Sequence, residues 1–294
     1  MNRASNSLLF VLLTCSFLCI VGCTNQKTND KTTVSPGAVS ASAATQDPVL
    51  TDAIEETDSL LPEDLSTIQD NSNTVPVDTI PGSITCLVNR QFPLPANYIP
   101  KDLVEPKVSF SFSYQSDKRK MRKPAAKALE KMFQAAKKDK IILYGVSAYR
   151  SYQRQKQIYQ RNVSLYGADS TDTFSAKPGS SEHQSGLTID ISAACVDNAL
   201  SQAFGNTKEG KWVAKNAHKY GYIIRFPKGK SAITGYHYEP WHIRYVGVTT
   251  ATYLYKHKLT LEEYYGVQCD KVKQKPSVDV EDPDHLDYDE KSDE

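Results

Sequence analysis

Three short segments of this 294-residue chain combine residue types that do chemistry together. The first runs Ser181-Glu182-His183-Gln184-Ser185-Gly186-Leu187-Thr188-Ile189-Asp190. Gly186 allows a turn between the imidazole and the carboxylate. Asp190 stands between Ile189 and Ile191, so on a strand the two isoleucines face the core and Asp190 the other way, either exposed or bound to something. The second runs Tyr236-His237-Tyr238-Glu239-Pro240-Trp241-His242-Ile243-Arg244-Tyr245. Pro240 opposes a helix across it, so Glu239 and His242 are not helical neighbours. The third, Ser147-Ala148-Tyr149-Arg150-Ser151-Tyr152, reads as a strand end meeting a helix start, where an arginine can hold an anionic group.

Each piece alone is weak, because a lone histidine before a strand is most often a structural hydrogen-bonder. Together they offer two imidazoles and a carboxylate as metal ligands, a second carboxylate and an arginine. Two nitrogens and one oxygen around Zn2+ leave a fourth position open, the arrangement of a hydrolytic site. Zinc lowers the pKa of water, a carboxylate outside the ligand set can carry its proton, and an arginine can neutralise a substrate carboxylate or an oxyanion.

The elements that must position these groups follow from periodicity. Pro124–Lys138 carries Ala125, Leu129, Met132 and Ala136 at helical spacing. Lys140–Ala148 reads as a strand, Ser151–Tyr166 as a helix with Ser151 as N-cap, and Gly167–Gly179 as a loop. Leu187–Ser192, Tyr222–Phe226 and Trp241–Val246 read as strands. Gly210–Tyr220 reads as a helix closed by Gly221, and Thr249–His257 and Leu261–Tyr265 as helices. No βαβ repeat is visible. The expected fold is α+β, one small domain with a mainly antiparallel sheet flanked by helices.

Hydrophobic residues make up 39% of the chain, below the roughly 45–50% of globular domains, and the deficit sits at the two ends. One long apolar run exists, Leu8–Val21, shorter than the ~20 residues of a spanning helix. It fits the apolar region of a secretory signal over residues 1–22, and its end, Ile20-Val21-Gly22-Cys23, resembles a bacterial lipoprotein signal with lipid on Cys23. Residues 23–81 read as a Ser/Thr/Asp/Pro-rich disordered tether and 271–294 as a polar acidic tail around a folded region 82–270. Cys86, Cys195 and Cys269 then permit at most one internal disulfide. Cys86 and Cys269 could staple the ends of the folded region, and three unpaired thiols are the alternative.

The formal net charge of +1 hides an uneven distribution: residues 82–277 hold 31 basic and 15 acidic residues, a surplus near +16. Such a field favours a polyanionic partner. With an export signal, that partner is the anionic cell envelope and not nucleic acid.

The ordered set Ser-x-Tyr-Arg-Ser, Ala-Lys-Pro-Gly-x-Ser-Glu-His-Gln-x-Gly-x-x-x-Asp and Tyr-x-Tyr-Glu-Pro-Trp-His-x-Arg-Tyr-Val-Gly resembles the VanY-type D-alanyl-D-alanine carboxypeptidases and their L,D-carboxypeptidase relatives, over about residues 83–268. The resemblance implies one catalytic Zn2+ on His183, Asp190 and His242, with Glu239 as general base and then acid. It implies Arg150 at the scissile carbonyl or the terminal carboxylate, and Gln155 and Ser181 against substrate. Tyr149, Tyr238 and Trp241 are expected to line the groove. His237 stays outside the ligand set, and His218, His257 and His285 are read as structural or exposed. Thr188, where a small residue is common, and Cys195 are departures from the pattern. The implied reaction removes the terminal D-Ala from peptidoglycan stem peptides. The alternatives are L,D-cleavage of tetrapeptides, an endopeptidase of the same fold, or an inactive lipid-anchored wall-binding protein. A monomer held outside the bacterial cell membrane by its lipid is the expected setting.

Overall fold

The computed structural model describes residues 75–172 and 174–267. The signal, Cys23, the tether up to residue 74, Cys269 and the acidic tail lie outside the described residues. Ordered packing starts before residue 82: Val75 and Val77 pack on the cluster of Leu87, Ile223, Leu254 and Leu261. Asp78 accepts from the Thr85 hydroxyl at 2.7 Å. Two isolated valines are too sparse to signal packing in a polar stretch, so composition places that boundary late.

The strands are β1 (Leu103–Val104), β2 (Met121–Arg122), β3 (Tyr144–Ser147), β4 (Thr188–Ser192), β5 (Tyr222–Phe226) and β6 (Glu239–Tyr245). The helices are α1 (Lys123–Lys138), α2 (Tyr152–Tyr166), α3 (Ala168–Thr171), α4 (Lys208–Asn216), α5 (Ser231–Thr234), α6 (Val248–His257) and α7 (Leu261–Tyr264). β1 and β2 form an antiparallel pair, and the main sheet has the order β3-β4-β6-β5, antiparallel throughout. This is the expected α+β architecture. The strand expected from Lys140 is shorter, and the expected 167–179 loop contains α3.

α1 forms where apolar positions recur at helical spacing and Pro124 occupies its first turn. Its inner face, Ala125, Ala126, Leu129, Met132 and Ala136, is buried in the main core. Leu129 and Met132 are fully buried, and each contributes about 1.5–3 kcal/mol by leaving water. The same core takes Ile189 and Ile191 of β4 and Ile243 and Tyr245 of β6. One face of the sheet is therefore apolar and covered by helices, and the alternate residues of the same strands form the other face.

Candidate active site

That other face holds the chemistry. The β4–β6 register pairs Asp190 with His242 and Thr188 with Arg244. Cross-strand partners share a face, so pleating that sends Ile189 and Ile243 into the core sends Asp190 and His242 together to the opposite side. Pro240 is accommodated inside β6 because the β5–β6 pairing shifts register between Ile224 and Phe226. Such an irregularity is one of the few places a sheet tolerates proline.

His183 arrives from the turn of 3-10 helix Glu182–Ser185, which Gly186 ends in the left-handed region at φ 69°. A Cβ at Gly186 would lie 3.0 Å from both Arg122 Cγ and Leu103 Cδ2, so the chain needs glycine there to turn back into β4. His183 Nδ1 donates to the Ala148 carbonyl at 2.6 Å, leaving Nε2 as the acceptor nitrogen. That Nε2 is 3.2 Å from Asp190 Oδ2, and His242 Nδ1 is 3.1 Å from Asp190 Oδ1. All three residues are buried, and their ligand atoms lie within 4.8 Å of one another.

This set fits a divalent cation. Asp190 Oδ1 is buried without a satisfactory hydrogen bond, and such an atom is costly unless something positive meets it. Burial opposes charge on His242, but Asp190 and Glu182 outweigh it and push the imidazole up to about 9. The pocket therefore attracts positive charge. Burial, helped by Arg150, lowers His183, which keeps it a neutral ligand. Two imidazoles and a carboxylate are a donor set suited to zinc.

Glu239 stands at the edge, with its Oε2 3.7 Å from His242 Nδ1 and its side chain 20% exposed. Burial pushes its carboxyl up to about 7, with Asp190 adding and His242 and Arg150 opposing. A carboxyl near neutrality, partly open and outside the ligand set, is suited to proton transfer.

Arg150 follows β3 and precedes α2, whose N-cap is Ser151, its side chain accepting from Arg154 N. Its guanidinium donates to Gln155 Oε1 at 3.0 Å and to Ser147 Oγ at 3.4 Å. Gln155 in turn donates to the Ala176 carbonyl at 2.6 Å. The structure thus places buried Gln155 as the holder of Arg150.

The remaining sequence candidates are placed differently. Ser181 is buried at the start of the Glu182–Ser185 turn and makes no side-chain cap bond there. Tyr149 is only 4% exposed. The Tyr238 hydroxyl lies against Gly205, where an added Cβ would come within 2.5 Å of it. Trp241 packs on the main core cluster, and strand alternation points it away from His242. His237 is not part of the His183–Asp190–His242 group.

The sequence reading missed what lies behind the imidazole. Glu182 Oε1 accepts from Arg225 Nε at 2.8 Å and Arg244 Nη1 at 2.7 Å. Arg225 makes a two-point contact with Glu262, at 2.8 and 2.5 Å. Glu182 Oε2 lies 3.6 Å from His242 Nε2 and accepts from the Thr188 hydroxyl at 3.3 Å. Thr188 is thus a member of this network. The two arginines and Glu262 are fully buried. Two carboxylates balance two guanidiniums, which lets the group be buried. The available signal was an arginine inside each of two apolar strands, Tyr-Ile-Ile-Arg-Phe and His-Ile-Arg-Tyr, which calls for buried acids nearby.

Comparison with known proteins places these features in context. Residues 118–248 match the family model VanY: D-alanyl-D-alanine carboxypeptidase. The chain is 54% identical over 185 residues to a Bacillus subtilis (strain 168) protein provisionally named carboxypeptidase YodJ, covering 63% of this chain and 68% of that protein. Among solved structures it resembles the LdcB LD-carboxypeptidase, described in terms of peptidoglycan recognition, at 50% identity and TM-score 0.63, over 67% of this chain and 94% of the other. It also resembles a glutamate-to-alanine variant of the vancomycin resistance D,D-pentapeptidase VanY in complex with Zn(II), at 34% identity and TM-score 0.51, over 61% of this chain and 97% of the other.

Proposed function

The chain belongs to the VanY family of D-alanyl-D-alanine carboxypeptidases, a family of hydrolases, and from that premise we propose that it is a zinc enzyme releasing the C-terminal D-alanine of peptidoglycan stem peptides. The observation that carries this reading is the convergence of His183 Nε2, Asp190 and His242 Nδ1 beside a separate carboxyl, Glu239, and a held guanidinium, Arg150.

His183, Asp190 and His242 would hold the ion. When bound, zinc supplies Lewis acidity that activates a water molecule near neutral pH. Glu239 would accept a proton from the attacking water and return it to the leaving amine, so one carboxyl would serve as base and then acid. Burial pushes its pKa up to about 7, and beside a bound cation it would fall, which would favour the base form at the start. Arg150, fixed by Gln155 and Ser147, holds the negative charge of the substrate's carboxylate or of the carbonyl oxygen as it develops.

Two bonds fit this chemistry. The family model matched over residues 118–248, one of D-alanyl-D-alanine carboxypeptidases, favours D-Ala-D-Ala cleavage in pentapeptides. The stronger likeness to LdcB, in identity and TM-score, favours the L,D-bond of tetrapeptides. Mass spectrometry of both peptides after incubation with the zinc-loaded protein, beside Glu239→Ala, tests the proposal. Loss of one D-Ala from either peptide with wild type alone supports it and identifies the bond. Neither peptide being trimmed would overturn it and leave the wall-binding reading.

The setting is proposed from the N-terminal residues: export, lipid on Cys23, and a monomer anchored outside the cell membrane. Movement of Cys23→Ser from the detergent phase to the aqueous phase would support the anchor, and an unchanged partition would refute it.

A further inference from the structure

A groove of about 430 Å3 lies on the helical side of the domain, lined by Asp139, Ile141, Trp212, Asn216 and Lys208, Lys211, Lys215 and Lys219. The lysines are not scattered. Three of them step along one side of α4 at intervals of three and four residues, and Lys219 continues the row in the 3-10 turn Ala217–Tyr220. All four are exposed. At the helical and 3-10 rises the row spans ~18 Å, roughly one charge every 6 Å. Among the described residues Lys208 has only a distant acid, Glu209 at 3.8 Å, and Lys219 donates to Asn216. Lys211 and Lys215 make no ion pair with a described residue. Asp139, the acid lining the groove, spends one carboxylate oxygen on the Trp212 indole N–H at 2.7 Å. The groove carries a net +3.

Like charges spaced this way repel and weaken a helix, so the row opposes folding stability unless an anion lies along it. A linear polymer with one negative charge per repeat meets a row of point charges in register. Lysine suits single phosphate charges better than the planar, two-point recognition that favours arginine. Trp212, tied by its N–H and packed on the core, forms an apolar floor for the polymer's carbon backbone. Base stacking, the usual contribution to single-stranded nucleic acid binding, would have a single indole here, already fixed at one edge. A membrane surface is flat, whereas these lysines border a concavity.

The groove also lies away from the reaction. Ile141 and Trp212 pack on the core, which covers the sheet face that carries Ile189 and Ile243. His183, Asp190 and His242 sit on the opposite face. An occupied groove leaves the catalytic cluster open.

We propose that the Lys208–Lys219 groove binds a linear phosphodiester polymer of the cell envelope, holding the enzyme beside wall substrate without entering its active site. The test titrates full-length protein with poly(glycerol phosphate) over a range of salt concentrations, beside Lys211→Gln/Lys215→Gln/Lys219→Gln. Wild type is expected to bind with an affinity that falls steeply with salt. The triple variant should bind at least 10-fold more weakly, with a salt slope smaller by about 2, as expected for three lost phosphate contacts on a flexible chain. Its kcat/KM on a short soluble stem peptide should match wild type, a result that also shows the variant is folded. Equal polymer affinity in the variant would overturn the proposal. So would a variant defect confined to phosphatidylglycerol vesicles, or wild-type binding at least 10-fold tighter to single-stranded DNA of equal charge. The binding readouts do not depend on whether or which peptide bond is cut, so the groove and the assigned reaction fail separately.

Discussion

Asp190 and His242 are direct partners in the antiparallel register of β4 and β6, and the carboxylate oxygen of one lies 3.1 Å from Nδ1 of the other. Two of the three side chains proposed to hold the metal are thereby fixed by backbone hydrogen bonding between adjacent central strands, and His183 joins them from a glycine-ended turn. A ligand pair locked by register cannot drift without breaking the sheet, so its geometry is set before any ion arrives.

Metal removal is expected to abolish activity reversibly. Dialysis against a strong chelator should eliminate turnover, and one equivalent of Zn2+ should restore it. Asp190→Ala should retain the far-ultraviolet spectrum but bind less than a tenth of the metal of wild type by elemental analysis, whereas His257→Ala should bind normally, because His257 lies outside the cluster. Stoichiometric zinc in Asp190→Ala would contradict the ligand assignment.

The buried network makes stability acid-sensitive. Burial alone would raise the Glu182 carboxyl, but the adjacent Arg225 and Arg244 outweigh it and hold the group far below the usual carboxylate range. A pKa lowered by folding contributes stability above the unfolded value, about 4.3, that is lost as pH falls below it. Glu182→Gln should cost about 3–5 kcal/mol at neutral pH by leaving buried guanidinium charge uncompensated. Below pH ~4.3 its unfolding free energy should fall less steeply than that of wild type, by up to about 1.4 kcal/mol per pH unit. Urea titrations of chelator-treated protein at several pH values would check this, and parallel pH slopes would refute the role given to Glu182.

Gln155 should matter through Arg150. Removing its side chain frees the guanidinium from the 3.0 Å contact. Gln155→Ala is expected to lower kcat/KM about 10-fold, the equivalent of one lost hydrogen bond, with the zinc content unchanged. The conservative Gln155→Glu keeps the acceptor but adds a charge that competes with a substrate carboxylate, so the loss should appear mainly in KM. Wild-type kinetics in both variants would show that Arg150 is held without Gln155.

Gly186 is expected to resist substitution. At φ 69°, an alanine there is strained and its Cβ would crowd Arg122 and Leu103 at 3.0 Å. Gly186→Ala should lose about 1–2 kcal/mol, lowering Tm by a few degrees for a domain of this size. It should also weaken zinc binding, because the turn sets His183 against Asp190. An unaltered zinc affinity would mean that the ligand geometry does not depend on this turn.

Much of the scaffold could be read from local pattern. The buried positions expected in α1 are buried, Ser151 caps α2, and β5 spans Tyr222–Phe226 as expected. These elements are written in periodicity and cap chemistry within a few residues. The three candidate ligands and Glu239 were also singled out by the sequence, because their motifs are short and ordered along the chain, and the fold brings them together. The packing of Trp241 was not: strand alternation turns it away from His242, but only the folded chain shows that it lies on the main core.

What the sequence by itself determined is the set of reactive groups and the α+β class, since both depend on residue type and near-neighbour spacing. What only the tertiary structure decided is which distant charges meet. Glu182 finds Arg225 forty-three positions away and Arg244 sixty-two away, and Lys208–Lys219 borders a groove with Asp139 from the end of α1. Such pairings carry no local signature. They arise because burial leaves a charge costly until a partner is found, and the partner is supplied by whichever strand or helix the fold lays alongside.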